Sequence, residues 1–248
     1  MNKILYSILG IMIPFIGTSL GSSLVFFLNS KINNKIHKLM IGFAIGVMLS
    51  SSIFSLILPS IDMVNHYKWL PVSIGLICGF LFLIIINQIT IKKENNNLNM
   101  LMFSVTLHNI PEGMAVGVCF AAYLLSKNII LIEAMLLSIG IAVQNIPEGA
   151  IISLPLKLEG KSKMKSFNYG MLSGIVEPIS AFITLILLNI IVPSLPYLLS
   201  FAAGAMIYVV IEELVPEMHK DNKSIWGIIG VILGFILMMI LDISLWYN

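Results

Sequence analysis

The chain has 248 residues, of which 58% are hydrophobic and only 10% are charged, and its mean hydropathy is +0.99. This composition lies outside the range of soluble globular domains and indicates a polytopic membrane protein. The formal net charge is +2, and the basic residues are spread through short loops, which excludes a nucleic-acid-binding face. Cys78 and Cys119 lie in separate apolar runs, without the paired spacing of a disulfide framework or a thiolate metal site.

Eight apolar stretches are long enough to cross a bilayer. They predict an all-α integral membrane protein, with one transmembrane domain over residues 1–248 and the lipid bilayer as its surroundings. The stretches cover residues 4–29, 38–60, 70–91, 100–126, 129–156, 167–191, 195–217 and 225–246.

The loops between these stretches predict the orientation. All fourteen basic residues are lysines, and eleven of them fall in the four loops that would share one side of the membrane. Because cytoplasmic loops carry the excess of lysine and arginine, this side is predicted to be the cytoplasm. An even number of spans then places both termini outside.

Two copies of one hexapeptide lie in the middle of the fourth and fifth stretches, with the sequences His-Asn-Ile-Pro-Glu-Gly and Gln-Asn-Ile-Pro-Glu-Gly. On a helix, the first residue and the Glu of each copy are four positions apart and share a face, with the Asn beside it. The Pro frees a backbone carbonyl one turn earlier, and the Gly allows close helix approach. Polar groups are expensive at membrane depth, so the pair predicts a divalent-metal site between these two helices. Its residues are His108, Asn109, Glu112, Gln144, Asn145 and Glu148.

Further acids lie at or near membrane depth. Glu177 precedes a proline in the sixth stretch, and Glu212 and Glu213 are adjacent in the seventh. No lysine embedded at membrane depth opposes these acids. The negative charge therefore requires bound cations, bound protons or both.

These motifs resemble those of the ZIP (Zrt/Irt-like) divalent-metal transporters, across essentially the whole chain. The resemblance rests on the two hexapeptides, the Glu177-Pro178 pair and the run Glu-Glu-Leu-Val-Pro-Glu-Met-His at 212–219. Gln144, where most of the family has His, is similar to the bacterial GufA-like branch. The resemblance implies a ZIP-like eight-helix bundle with its transport site on helices 4 and 5. It also favours a bacterial-type plasma membrane and suggests a homodimer.

The resemblance also assigns residues to sites. The primary metal site would comprise His108, Glu112, Gln144 and Glu148, with Met48 of helix 2 as a soft ligand. A second site would comprise Asn109, Asn145 and Glu177, with Glu112 and Glu148 bridging the two ions. Asp62 matches the outer entrance, Glu213 and His219 match positions toward the cytoplasmic exit, and Glu212 is a further pathway candidate. The chain departs from the GufA-like pattern at Asn145, where Asp can occur, so the second site carries less negative charge.

The donor set restricts the metal. Imidazole, carboxylates, amide oxygens and a thioether suit Zn²⁺, Fe²⁺, Mn²⁺, Co²⁺ or Cd²⁺ better than Ca²⁺ or Mg²⁺, which prefer oxygen ligands throughout. The Irving–Williams order does not choose among the transition metals, and zinc comes first because of the family resemblance. The metal is expected as transported substrate, with no prosthetic group.

The expected function is therefore a non-enzymatic carrier that moves a divalent transition metal into the cytoplasm. Two other classes remain open. A proton-coupled carrier of an organic solute could use the acids as a relay, although no Arg or Lys lies at membrane depth to bind an anionic substrate. An intramembrane metalloenzyme would use His and Glu beside a metal, but the zinc-protease pattern His-Glu-x-x-His is absent.

Overall fold

The computed structural model describes residues 3–27, 34–91, 97–125, 131–158, 160–219 and 225–246. Within these ranges the chain forms no strand and eight helical rods, where a rod is one helix or several consecutive helical segments. They are α1 (Lys3–Phe27), α2 (Asn34–Ser51, continued by Ser52–Ile57 and Leu58–Asp62), α3 (Trp69–Ile91), α4 (Asn97–Leu124), α5 (Leu131–Leu158), α6 (Lys163–Gly174 and Val176–Ile186), α7 (Leu188–Val209, continued by Val210–Leu214 and Val215–His219) and α8 (Ile225–Trp246).

The rods follow the eight predicted apolar stretches, so the all-α prediction is confirmed. Among the described residues, seven rods have the length and hydropathy of membrane-crossing helices, and the 28-residue α4 is the eighth long helix. The turn between α6 and α7 lies at Leu187, earlier than the predicted boundary at 191–195. Pro193 and Pro196 therefore lie inside α7, because membrane helices tolerate proline where neighbouring groups satisfy the freed backbone atoms.

The sixth rod is interrupted at Ile175, in the middle of the predicted span. Pro178 has no backbone N–H to bond the carbonyl of Gly174, so the helical ladder stops there and a second segment begins at Val176. Glu177 lies in the first turn of this second segment. A carboxylate is favourable in that turn because the helix dipole places partial positive charge at its amino terminus.

Two π-helical segments, which the sequence did not predict, interrupt α2 and α7. They comprise Ser52–Ile57 in α2 and Val210–Leu214 in α7, and the first of them packs against α7. Single π turns within α-helices occur frequently at functional sites. Here they mark two helices that carry predicted site or pathway residues.

The rods pack mainly in pairs: α1 against α5, α4 against α6, α2 against α8, and α3 against α7. Further contacts join α1, α4, α5 and α6 into one group, while α4 also meets α7 and α2 meets α5. The outward faces of the helices carry exposed leucine, isoleucine and phenylalanine side chains, as a lipid-facing surface requires. The hexapeptides thus lie on two helices that each pack against several others.

The glycines of the two hexapeptides permit close helix contacts, as the sequence predicted. A Cβ atom at Gly113 would overlap the backbone of Glu177 in α6, and one at Gly149 would overlap the backbone of Thr18 in α1. Each glycine thus brings its helix against an outer neighbour, whereas α4 and α5 meet through other residues. This arrangement places α1 and α6 beside the site.

Candidate metal site

The hexapeptide side chains that the structure describes are buried in the middle of α4 and α5. Asn109, Asn145 and Glu148 are fully buried, and Glu112 and Gln144 are 2% and 1% exposed. Both helices continue through their prolines without interruption. Five polar side chains thus lie in the interior of an apolar bundle, where each needs a polar partner or a bound ion.

Gln144 joins the two hexapeptides. Its Nε2 donates hydrogen bonds to Oε1 of Glu112 in α4 and, at 3.4 Å, to Oε1 of Glu148 in α5. Its Oε1 accepts a hydrogen bond from the Ser51 hydroxyl of α2. The structure therefore brings the two predicted carboxylates to one amide group and adds α2 to the site.

Glu177 of α6 supplies a third carboxylate. Gly113, the residue after Glu112, packs directly against the backbone of Glu177, so this acid lies beside the hexapeptide of α4. Thr18 of α1 donates a hydrogen bond to Oε1 of Glu177 at 3.0 Å, while Oε2 has no hydrogen-bond partner among the described residues. Glu177 is 1% exposed, so its carboxyl group is shielded from bulk water.

The two asparagines are held through their nitrogen atoms. Nδ2 of Asn109 donates to the Ser173 carbonyl at 3.2 Å, and Nδ2 of Asn145 donates to the Pro14 carbonyl at 3.4 Å. In the part of the chain that the structure describes, neither Oδ1 atom receives a hydrogen bond. Buried amide oxygens without a donor are rare in folded proteins, and they are suitable cation ligands.

His108 and Met48 are the two remaining predicted ligands of the primary site. The backbone of His108 belongs to α4, but its side chain lies outside the described residues. Met48 is 1% exposed and belongs to an apolar core that also includes residues of α5 and α7. It precedes Ser51 by three positions on α2, so it lies about one helical turn from the Gln144 contact.

The predicted pathway residues lie at the ends of two helices. Asp62 is exposed at the end of α2, and Glu212 and His219 are exposed near the end of α7. Glu213 is half-buried, and its Oε1 has no partner among the residues described. None of these four is hydrogen-bonded to the buried network in the described part of the chain.

The sequence did not indicate several contributors to the network, or one buried acid outside it. Thr18 and the Pro14 carbonyl of α1, and Ser51 of α2, bond the site but carry no charge that would mark them in a sequence. Asp242 of α8 was missed although a signal existed, since it is an acid within an apolar run. It is 3% exposed and accepts a 2.7 Å hydrogen bond from Ser55.

The donor set is mixed rather than purely acidic. Among the described side chains, no three His, Cys, Asp or Glu residues converge closely enough to hold a metal ion by themselves. The buried network instead combines carboxylates with amide groups from α4, α5 and α6. Such a set can bind a divalent cation through oxygen atoms, and it lacks the closed cysteine cage that would retain the ion.

Comparisons with known proteins are consistent with this arrangement. Residues 90–242 match the family model described as ZIP zinc transporter. The chain is 30% identical to zinc transporter ZIP11 of Xenopus tropicalis, with 98% of each chain covered. It is 31% identical to zinc transporter GufA of Myxococcus xanthus, over 92% of this chain and 95% of that protein. It is 32% identical to zinc transporter ZIPB of Bordetella bronchiseptica, over 97% and 81% respectively.

The family match covers more than half of the chain, and the relatives are aligned along nearly all of it. The family consists of transporters rather than enzymes, which confirms the non-enzymatic prediction and leaves no support for a metalloenzyme. This chain belongs to the ZIP family of integral membrane metal transporters, and its relatives include the GufA protein that the sequence suggested.

Proposed function

We propose that this protein carries a divalent transition metal, with zinc as the first candidate, through a buried site between α4 and α5 toward the cytoplasm. Zinc is the substrate in the names of its relatives. The observation that carries the proposal is the burial of three carboxylates, Glu112, Glu148 and Glu177, from three different helices in one region of the interior. Three acids in an apolar interior need positive charge, and a mobile divalent ion supplies it.

The proposed ligands follow from this network. Glu112 and Glu148 would bind the first ion together with His108 and Gln144, while Met48 approaches from α2. Glu177 with the amide oxygens of Asn109 and Asn145 would bind a second ion beside the first, since these two oxygens have no donor among the described residues. Carboxylate and amide ligands release an ion more easily than thiolates do, as a carrier requires.

The proposed pathway connects the end of α2 with the end of α7 through the buried site. With both termini outside, Asp62 lies at the outer end of α2, and Glu212, Glu213 and His219 lie toward the inner end of α7. Movement of one helix group against the other would expose the site to each side in turn. The bacterial-type plasma membrane and the homodimer stay predictions, as do iron, manganese, cobalt and cadmium as alternative substrates.

A transport assay tests the proposal. Purified protein is reconstituted in liposomes that contain a metal-sensitive dye, and uptake of Zn²⁺, Cd²⁺, Mn²⁺, Fe²⁺, Mg²⁺ and Ca²⁺ is measured over a range of pH. We expect uptake of transition metals, little uptake of Mg²⁺ or Ca²⁺, and loss of uptake in Glu148→Ala.

The matched control is Glu94→Ala, which removes an acid from the segment between α3 and α4 and should leave uptake unchanged. If Glu148→Ala inserts normally and transports at the wild-type rate, the assigned site is wrong. If the wild-type protein moves none of the transition metals, the carrier assignment fails, and a proton-coupled solute carrier becomes the better explanation.

A further inference from the structure

The connection between α5 and α6 concentrates positive charge at one end of the bundle. Residues 157–165, the basic turn, contain four lysines and one acid, Glu159, which lies outside the described residues. Lys161, Lys163 and Lys165 are exposed, and no acid of the described residues forms an ion pair with them. The basic turn therefore carries a net positive charge where the chain leaves and re-enters the apolar bundle.

Two capping motifs hold the backbone of the basic turn in a fixed shape. The N–H of Gly160, whose φ is 93°, donates to the Lys157 carbonyl at 3.0 Å. The N–H of Lys161 donates to the Leu156 carbonyl at 3.1 Å, so α5 ends in a Schellman motif. Ser162 then caps α6, because its Oγ accepts a backbone N–H from the first turn of that helix at 3.3 Å. A backbone that is already ordered loses less entropy when its side chains bind a ligand.

Two of the lysines are held at the boundary between the bundle and the lipid. Nζ of Lys161 lies 4.8 Å from the centre of the Tyr169 ring, in a cation–π contact. Tyr169 and Leu172 are 40% and 47% exposed on α6, as expected for side chains that face lipid. Nζ of Lys163 donates to the Phe26 carbonyl in the last turn of α1 at 2.9 Å. These contacts place ammonium groups at the depth of the lipid headgroups.

The composition of the turn suits a phospholipid better than a soluble anion. The first turn of α6 contains Lys163 and Lys165 and no acid, although the helix dipole favours acids at that end. This unfavourable placement is relieved when an anion lies nearby. Leu158 and Met164, beside the lysines, are 46% and 58% exposed and offer apolar contact to acyl chains. A phospholipid supplies both the anion and the acyl chains, whereas a soluble anion supplies only the charge.

We propose that the basic turn binds the phosphate headgroup of an anionic phospholipid, with Lys161 and Lys165 as binding residues and Tyr169 as the residue that positions Lys161. Lys163 fixes the turn to α1. With both termini outside, as predicted, the headgroup belongs to the cytoplasmic leaflet, where anionic lipids attract basic segments. The surface is independent of the proposed metal site, since the two share no residue.

The test measures lipid binding to the purified full chain by native mass spectrometry. Protein in detergent is titrated with phosphatidylglycerol or with phosphatidylcholine that has the same acyl chains. We expect phosphatidylglycerol to bind more tightly. Each lysine near an anionic surface contributes roughly a factor of five in affinity, so Lys161→Gln combined with Lys165→Gln should weaken phosphatidylglycerol binding about ten- to thirtyfold. Binding of phosphatidylcholine should not change.

Lys92→Gln combined with Lys93→Gln is the matched control. This variant removes the same charge from the segment between α3 and α4, on the same predicted side of the membrane. A loss of affinity confined to the basic-turn variant supports the site. Equal losses in both variants, or equal binding of the two lipids by wild type, overturn it. Displacement of the lipid by millimolar inorganic phosphate would identify a soluble anion as the ligand and would also overturn the proposal.

Substitutions of Tyr169 test its positioning role. Tyr169→Leu removes the cation–π contact and should weaken phosphatidylglycerol binding about two- to fivefold, while Tyr169→Phe keeps the ring and should retain the wild-type affinity. Equal weakening in both variants would refute the role of the ring. If the double lysine variant does not insert, Lys165→Gln alone is measured, and an unchanged affinity for phosphatidylglycerol refutes the site.

Discussion

Replacing Thr18 by valine removes one hydroxyl at the contact between α1 and α6 and keeps the shape of the side chain. The hydroxyl donates to Oε1 of Glu177 at 3.0 Å, and both residues are buried. Leaving a buried acceptor without its hydrogen-bond partner costs about 1–3 kcal/mol. For a chain of this size each kcal/mol corresponds to roughly 2–4 °C in Tm, so we expect Thr18→Val to lower Tm by about 2–12 °C.

The measurement is thermal unfolding of the purified protein in detergent, followed through the loss of helical circular dichroism. Thr184→Val is the control, because Thr184 is fully buried in α6 and donates to the Ser180 carbonyl of its own helix at 2.8 Å. It should cause a smaller shift. Equal Tm values for Thr18→Val and wild type, or equal shifts in both variants, would refute the role of Thr18 in stabilising Glu177.

Three further predictions concern the same region. Gly149→Ala adds a Cβ that overlaps the backbone of Thr18, so it should separate α1 from α5 and reduce both Tm and the amount of inserted protein. His108→Ala removes the imidazole and should lower zinc uptake or change the order of metals in a competition assay; an unchanged order and rate would exclude it as a ligand. Asn145→Asp adds a carboxylate within hydrogen-bonding reach of Glu177. It should tighten binding of a second ion, which isothermal titration calorimetry detects as a higher stoichiometry or a second affinity.

The sequence predicted the helices and the acids because both leave local signals. An apolar run of about 20 residues can only be a helix in a bilayer, and an acid inside it stands out. The i and i+4 spacing of Gln144 and Glu148 also predicted that they share a face, and the structure places them in hydrogen-bond contact. Asp242 carried the same signal and could have been found by the same reasoning.

Other parts of the site depend on contacts between helices that are distant in sequence. Thr18 and Glu177 are separated by 159 positions, and Ser51 and Gln144 by 93, so no local pattern links them. Which end of the Gln144 amide meets the acids depends on its three neighbours together. That direction follows only from packing.

The π-helical segment Ser52–Ile57 allows α2 to form hydrogen bonds with two neighbouring helices. On a regular helix Ser51 and Ser55 would lie on the same side, four positions apart. Instead Ser51 bonds Gln144 of α5, and Ser55 bonds Asp242 of α8 at 2.7 Å. The extra backbone atoms of a π turn rotate the following residues about the helix axis. A displacement of either α5 or α8 therefore acts on the same segment of α2, residues 51–55. This segment couples the buried site on α5 to α8.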